Sequence, residues 1–312
     1  MRAVRAENGV VRIDQVDPPR GDGVRVRVDS VGICGSDLHL VAGEMTSSET
    51  TLGHEIAGTT DDGTPVAIEP LDPCGSCEPC TTGQYNLCTK GAAMILGIGL
   101  DGGMADEVLV PERSLVPLPA GLEVRHASLV EPLAVLVHAL RRSEVQPGQR
   151  VAVVGGGAIG LCAVAVARSR GCEVALVARH DAQREAGERL GATGVSGFYD
   201  VVVEAAGTES ALARAVELAK PGGYLSVPGI YWGSVALPGL PLCLEQIDLC
   251  PATLYGRHAG GRDVDAAAAL LATTPDLADT LITHRFPLDA AAEAFATAAS
   301  REEGAIKVVL EP

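Results

Sequence analysis

Four cysteines, Cys74, Cys77, Cys80 and Cys88, stand together in the run Cys74-Gly-Ser-Cys77-Glu-Pro-Cys80-Thr-Thr-Gly-Gln-Tyr-Asn-Leu-Cys88. A tetrahedral metal is the one partner that readily takes four thiolates so close together, each sulfur at about 2.3 Å. Gly, Pro and Asn between the cysteines allow a tight loop, and a closed shell of four thiolates leaves no open position for chemistry, so the cluster reads as a structural zinc site. A pair of disulfides would be the other use of these residues, but that framework belongs to small secreted domains. The chain has 312 residues and nine cysteines, an odd number, and its opening Met1-Arg-Ala-Val-Arg5 has no apolar stretch of the export-signal kind. A reducing cytoplasm is the expected compartment.

A second constellation lies upstream. Gly32-Ile-Cys34-Gly-Ser36-Asp37-Leu-His39 is followed by Gly53-His54-Glu55, and Glu131 stands in Leu129-Val-Glu131-Pro-Leu-Ala. A thiolate, an imidazole and a carboxylate would hold a zinc ion with a position left for water or substrate. Taken singly, each of these residues has an ordinary structural use, and spacing alone leaves the set open.

The third chemical feature is Val151-Ala-Val-Val-Gly155-Gly-Gly157-Ala158-Ile159-Gly160, in a strand, turn and helix context. Gly155 permits the tight turn and Gly157 lets backbone amides approach a pyrophosphate. Gly160 allows close packing, and the helix opened by Ala158 and Ile159 adds partial positive charge. Where an acid would bind the ribose 2′-hydroxyl of NAD, the chain reads Val177-Ala178-Arg179-His180. Arg179 can pair with a 2′-phosphate, which favours NADP(H) over NAD(H). Asp181, close by, counts the other way, as does a purely solvated role for Arg179.

The elements that must carry these residues follow from periodicity and composition. Val24-Arg-Val-Arg-Val28 alternates as a half-buried antiparallel strand does, and short segments of this kind run to about Pro119. From about Ala127, helical Ala- and Leu-rich segments alternate with the aliphatic runs Val151–Val154, Glu173–Val177, Asp200–Val203 and Tyr224–Val227. Strand alternating with helix means a parallel sheet. Val151 to Ala167 is uncharged throughout, but its triple glycine divides it into strand, turn and helix, so it does not read as a membrane span. Hydrophobic residues make up 47% and aromatics only 3%, so Val, Leu, Ile and Ala must build the core. The net charge of −16 repels phosphate backbones and anionic lipid, which argues against nucleic acid or a membrane surface as partner.

The Cys34 run, Gly53-His54-Glu55, the four-cysteine loop, Glu131-Pro-Leu and the glycine turn occur together and in order. In this the chain resembles the zinc-dependent medium-chain dehydrogenases, and Glu131-Pro-Leu-Ala resembles their polyol, threonine and sugar dehydrogenase branch. The resemblance spans essentially the whole chain, including Thr283-His-Arg-Phe-Pro-Leu-Asp289 and Ile306-Lys-Val-Val-Leu310. It implies an α/β protein with a GroES-like β-rich catalytic domain from residues 1–132 and 259–312, and a Rossmann dinucleotide-binding domain from 133–258. It implies hydride transfer between NADP(H) and a secondary alcohol such as a polyol, sugar or cyclitol, two zinc ions per chain, and a homodimer or homotetramer. Carried over residue by residue, Cys34 and His54 are catalytic zinc ligands, with Glu55 or Glu131 supplying a carboxylate. Asp37 orients the histidine, Ser36 bonds the substrate oxygen, and His39 ends a proton relay. Two departures stand out: few residues separate Ala192 from Asp200, so the Rossmann domain is abridged, and the segment through Thr59–Pro65 is compact. The abridgement motivates a competing reading as a zinc-stabilised NADP-binding protein without catalysis. A zinc-independent enone or quinone reductase is the third reading, but it leaves Cys34, His54 and Glu131 without a purpose.

Overall fold

The computed structural model describes residues 1–43, 50–300 and 304–312. The chain divides into two compact units, Met1–Glu131 with Gly256–Pro312, and Pro132–Tyr255. The first begins with the antiparallel pair β1 (Arg2–Glu7) and β2 (Val10–Gln15), then β3 (Val24–Gly32), α1 (Gly35–Val41), β4 (Glu55–Thr60) and β5 (Pro65–Ile68). The short helix α2 (Glu78–Thr81), β6 (Glu107–Val110) and β7 (Leu115–Pro117) follow, and α3 (Val130–Arg142) carries the chain into the second unit.

The second unit contains β8 (Arg150–Val154), α4 (Ala158–Ser169), β9 (Glu173–Val177), α5 (Asp181–Arg189), β10 (Tyr199–Glu204), α6 (Glu209–Leu218), β11 (Ala219–Val227), α7 (Gly239–Leu244) and β12 (Asp248–Pro251). The returning segment adds β13 (Arg257–His258), β14 (Gly261–Arg262), α8 (Asp263–Thr273), α9 (Pro275–Leu281), β15 (Ile282–Pro287), α10 (Ala291–Ala299) and β16 (Lys307–Glu311) to the first unit.

The first unit is built on a seven-stranded sheet in the order β15-β16-β3-β4-β5-β7, with β6 also paired to β3. In the first half of β3, Val26 and Val28 are buried and Arg27 is exposed, as alternation predicts; Ser30–Gly32 are buried on both faces. Antiparallel pairing sets Gly32 opposite Glu55, and β16 sets Val309 opposite Gly32. The end of β3 that leads to Cys34, the start of β4 and the start of β16 therefore meet at one end of the sheet. Val26, Val31, Ile56, Ile68, Phe295 and Leu310 are among the residues packed in the core around it.

The second unit holds a five-stranded sheet in the order β12-β11-β10-β8-β9, with all neighbours parallel. The uncharged run from Val151 folds as strand, glycine turn and helix, and among the described residues no helix is long and apolar enough to cross a membrane. The abridgement foreseen after Ala192 is visible beyond β9, where Thr193 makes a single parallel bridge to Ala175. Two backbone hydrogen bonds of 2.9 Å, Leu176 N–H to Thr193 O and Thr193 N–H to Val174 O, are what occupies that edge. Arg150 fastens the shortcut by donating to the carbonyls of Ser196 and Phe198 and lying 4.5 Å over the Tyr199 ring.

Candidate functional site

Cys74, Cys77, Cys80 and Cys88 converge. Their sulfurs all lie within 4.8 Å of one another, and among the described residues this is the one group of three or more His, Cys, Asp or Glu ligand atoms gathered so closely. Sulfurs at about 2.3 Å from a tetrahedral centre stand about 3.8 Å apart. Cys74 to Cys80 at 3.9 Å and Cys77 to Cys80 at 3.4 Å bracket that spacing, so the donors fit a zinc ion. All nine cysteines are free thiols. Backbone and hydroxyl hydrogen bonds from Ser76 and Cys77 draw the Cys74 thiol down to about 5, so it is a thiolate at neutral pH. Burial, with Cys77 alongside, pushes Cys80 up to about 12, which is what crowded sulfurs do before a cation joins them. The loop is fastened to its unit at Tyr85, whose hydroxyl donates to buried Glu69, and Glu69 accepts from Arg262 at 3.1 Å.

The second constellation sits where β3, β4 and β16 meet. Cys34 caps α1, with its N–H donating to Asp37 Oδ2 at 2.8 Å, which fixes the Asp37 carboxylate beneath the first turn. Asp37 is fully buried. Its Oδ1 and His54 Nδ1, 3.7 Å apart, each lack a hydrogen-bond partner. On the other side of the imidazole, Nε2 lies 3.3 Å from the Ser36 hydroxyl. Burial opposes a proton on His54, but Asp37, Cys34 and Glu131 outweigh it and hold its pKa well above the ordinary histidine value. An imidazole ringed by three groups of negative or potentially negative charge, with two orphaned buried atoms behind it, fits a cation on the Nε2 side. Glu131 is buried, at the first turn of α3. His39 is half-buried on α1, one helical turn beyond Ser36.

Glu55 is engaged elsewhere. Lys307 Nζ donates to both its oxygens at 2.6 and 2.7 Å and to Ile33 O at 3.1 Å, with the lysine and glutamate side chains only 4% and 1% exposed. Gly32 makes room for the pair, because a Cβ there would lie 1.9 Å from Glu55 Oε2. Breaking a buried ion pair by removing one partner costs about 3–5 kcal/mol, so Glu55 is poorly placed to leave it for a metal. The sequence reading left Lys307 without a role. A lysine opening the apolar strand Lys307-Val-Val-Leu310 was the available signal, since a buried lysine requires an acceptor.

The glycine turn ends β8, between β10 on one side and β9 on the other, where the strand order reverses and open α/β sheets bind ligands. Gly155 has φ +114°, and a Cβ on Gly160 would fall 1.8 Å from Gly155 O, so both positions demand glycine. A Cβ on Gly157 would meet nothing within 4 Å. Open space above the N-terminus of α4 is what a pyrophosphate needs, and Ala158 and Ile159 form the helix's first turn. Arg179 is exposed at the tip of β9. Arg184, which sequence reasoning missed, donates to the carbonyls of Ala178 and Arg179 at 3.2 and 3.0 Å and pairs with Asp181. Asp181 therefore does not stand unopposed beside Arg179.

Residues 20–120 match the alcohol dehydrogenase GroES-like domain, and residues 124–311 match the glucose dehydrogenase C-terminus. A sorbitol dehydrogenase of Halalkalibacterium halodurans is 31% identical over 93% of this chain and 91% of its own. The 2-dehydro-3-deoxy-L-galactonate 5-dehydrogenase of Pseudoalteromonas atlantica is 30% identical over 97% of this chain and 95% of its own. Among solved structures, galactitol-1-phosphate dehydrogenase from Escherichia coli superposes with a TM-score of 0.91 at 26% identity, covering all of both chains.

Proposed function

The chain belongs to the zinc-binding medium-chain dehydrogenase/reductase superfamily, in its polyol and sugar dehydrogenase-like branch, and we propose that it moves a hydride between a hydroxyl-rich secondary alcohol and NADP(H). The observation that carries this reading is the buried corner in which Asp37 stands behind His54, Ser36 stands before it, and Asp37, Cys34 and Glu131 surround the ring with negative or potentially negative charge. Cys34, His54 and Glu131 would hold a second zinc ion in addition to the one that the four-cysteine loop would hold, which makes two per chain. When bound, that ion supplies Lewis-acid polarisation of the substrate oxygen.

The chain's own residues do the rest. Asp37, whose Oδ1 lies 3.7 Å from Nδ1, would accept the Nδ1 proton once Nε2 holds the ion, which selects the tautomer with Nε2 free to ligate and raises its basicity. The Ser36 hydroxyl bonds the reacting oxygen and hands its proton outward, with His39 at the far end. Glu131, a carboxylate in place of a second thiolate, makes the corner more polar and favours polyol, sugar or cyclitol substrates. Glu55 stays with Lys307. Arg179 pairs with the 2′-phosphate of NADP. Thiolate ligands and free cysteines suit a reducing compartment, which favours the cytoplasm.

The test is nicotinamide absorbance with NADP and NAD, each offered polyols, sugars and simple secondary alcohols, before and after chelation. Expected is chelator-sensitive turnover, faster with NADP, and an Arg179→Ala variant that loses about tenfold in NADP preference. Turnover that survives complete removal of zinc would overturn the mechanism, and NAD preferred by the intact chain would overturn the cofactor assignment.

The same unit suggests how copies associate. Strand β12 is an edge strand, and Ile230, Trp232, Leu237, Leu240, Leu244 and Leu249 are exposed in the segment around it, Leu240 and Leu244 by 71% and 74%. An unpaired edge beside apolar side chains is suited to a second copy of itself. A homodimer, or a tetramer of two such dimers, is proposed; a single 32.0 kDa species by light scattering at micromolar concentration would refute it.

A further inference from the structure

Glu204 is a carboxylate with no exposed surface at the end of the central strand β10. A charge buried this deeply is costly unless it is paired or fully hydrogen-bonded. Its hydrogen bonds come from neutral groups. Oε1 accepts from the N–H groups of Ala206 and Gly207, both at 2.9 Å, and Oε2 accepts from the Tyr231 hydroxyl at 2.6 Å. Burial and the neighbouring carboxylate raise the Tyr231 pKa, so the phenol remains a donor.

These bonds join two loops that leave the carboxyl edge of the sheet. Residues 205–208 follow β10, and 228–232 follow β11. The Glu204 carbonyl also accepts from Gly229 N–H at 3.1 Å. The fit leaves no slack: a Cβ on Gly229 would lie 2.4 Å from Glu204 Oε2, and one on Gly207 would lie 2.5 Å from Ile230 O. The first loop in turn abuts the glycine turn, since a Cβ on Gly155 would lie 3.0 Å from Ala206 N. Glu204 is thus the hub through which the pyrophosphate turn and the loops after β10 and β11 keep their mutual positions.

A dinucleotide fold has two mononucleotide halves, and its ligand lies across the carboxyl ends of the strands. Arg179 and the β9 tip belong to the adenosine half, so the strands β10, β11 and β12 carry the nicotinamide half. We propose that Glu204 and Tyr231 are positioning residues for the nicotinamide: they hold backbone 228–232 as the wall against which the ring is oriented for hydride transfer. Neither residue touches the reacting atoms. The inference rests on the dinucleotide reading above and gives Tyr231, between exposed Ile230 and Trp232, a role its position in an apolar stretch did not suggest.

The experiment compares Tyr231→Phe and Glu204→Gln with the intact chain, using two probes measured by calorimetry. NADP carries the nicotinamide; 2′-phospho-ADP-ribose lacks it and binds through the adenosine half alone. Expected is unchanged affinity, within about twofold, for 2′-phospho-ADP-ribose, with NADP weakened about fivefold and kcat lowered about tenfold in Tyr231→Phe. Tyr231→Phe removes one hydroxyl and keeps the ring, so it guards against a Glu204→Gln chain that fails to fold. Equal weakening of both probes would mean a general scaffold role and overturn the proposal, as would wild-type kcat and NADP affinity in both variants. NAD and ADP-ribose serve as the same pair of probes if the intact chain prefers NAD; if it binds none of the four, the dinucleotide reading itself falls and takes this inference with it.

Discussion

Cys34→Ser and His54→Ala will each lower turnover by about a thousandfold or more while NADP(H) still binds. Metal polarisation supplies several kcal/mol of charge stabilisation in the transition state, and each 1.36 kcal/mol is about a factor of ten in rate. Nucleotide binding survives because the glycine turn belongs to the other unit, which has its own core built around Val154, Val202 and Leu225. Asp37→Asn gives an intermediate loss of about 10–100-fold, since it disturbs the histidine without removing a ligand. The pH dependence of metal uptake has a definite sign. His54 without metal has a raised pKa, so its proton stabilises the metal-free fold below the ordinary histidine value, and that contribution is lost as pH rises through the raised one. A metal on Nε2 must displace that proton, so zinc at this corner is held more weakly as pH falls. Zinc counts by plasma emission across pH, on wild type and both variants, check this. Full activity in either ligand variant would remove Cys34 and His54 from the chemistry.

What was legible in the sequence was what is encoded locally. Gly155 answers to its own φ of +114° and Gly160 to the Gly155 carbonyl five residues back, so the turn could be read without knowing the fold. The four cysteines close a loop of their own and needed no distant partner. Strands β8 and β9 follow from aliphatic runs bounded by turns, and the abridgement after Ala192 followed from counting the residues before Asp200 against the family pattern. Glu55 was ambiguous for the opposite reason. Its partner Lys307 is 252 residues away, and only the pairing of β16 with β3 and β3 with β4 brings them together. Glu204 closes strand β10, and its partner Tyr231 stands 27 residues on, in a loop that no periodicity describes. Buried carboxylates whose partners arrive through topology are invisible to spacing, Glu55 in the first unit and Glu204 in the second.

Removing zinc from the four-cysteine loop will destabilise the first unit without abolishing nucleotide binding by the second. Between Cys74 and Cys88 the regular structure is one four-residue helix and one short 3-10 turn, and Cys88 is the one buried sulfur of the four. Isolated helices of this length do not persist in water, so the metal is what keeps the loop ordered. A ligand present at a thousandfold its Kd stabilises by about 4 kcal/mol, and for a unit of this size each kcal/mol moves Tm by about 2–4 °C. Chelation, or Cys88→Ser, is therefore expected to lower Tm by about 8–16 °C. The effect reaches beyond the loop through Tyr85, which is hydrogen-bonded to buried Glu69, and through Gly83, whose carbonyl accepts from Arg257 N–H at 3.0 Å. Alkylation followed by peptide mass mapping resolves the order of events. With zinc bound, all four thiols resist. Once it is chelated at pH 7, Cys74, already a thiolate and exposed, reacts first, and Cys80, with its thiol pushed up to about 12, reacts last. Ready alkylation of all four before chelation, with Tm unmoved afterwards, would mean that the loop holds its shape without a metal.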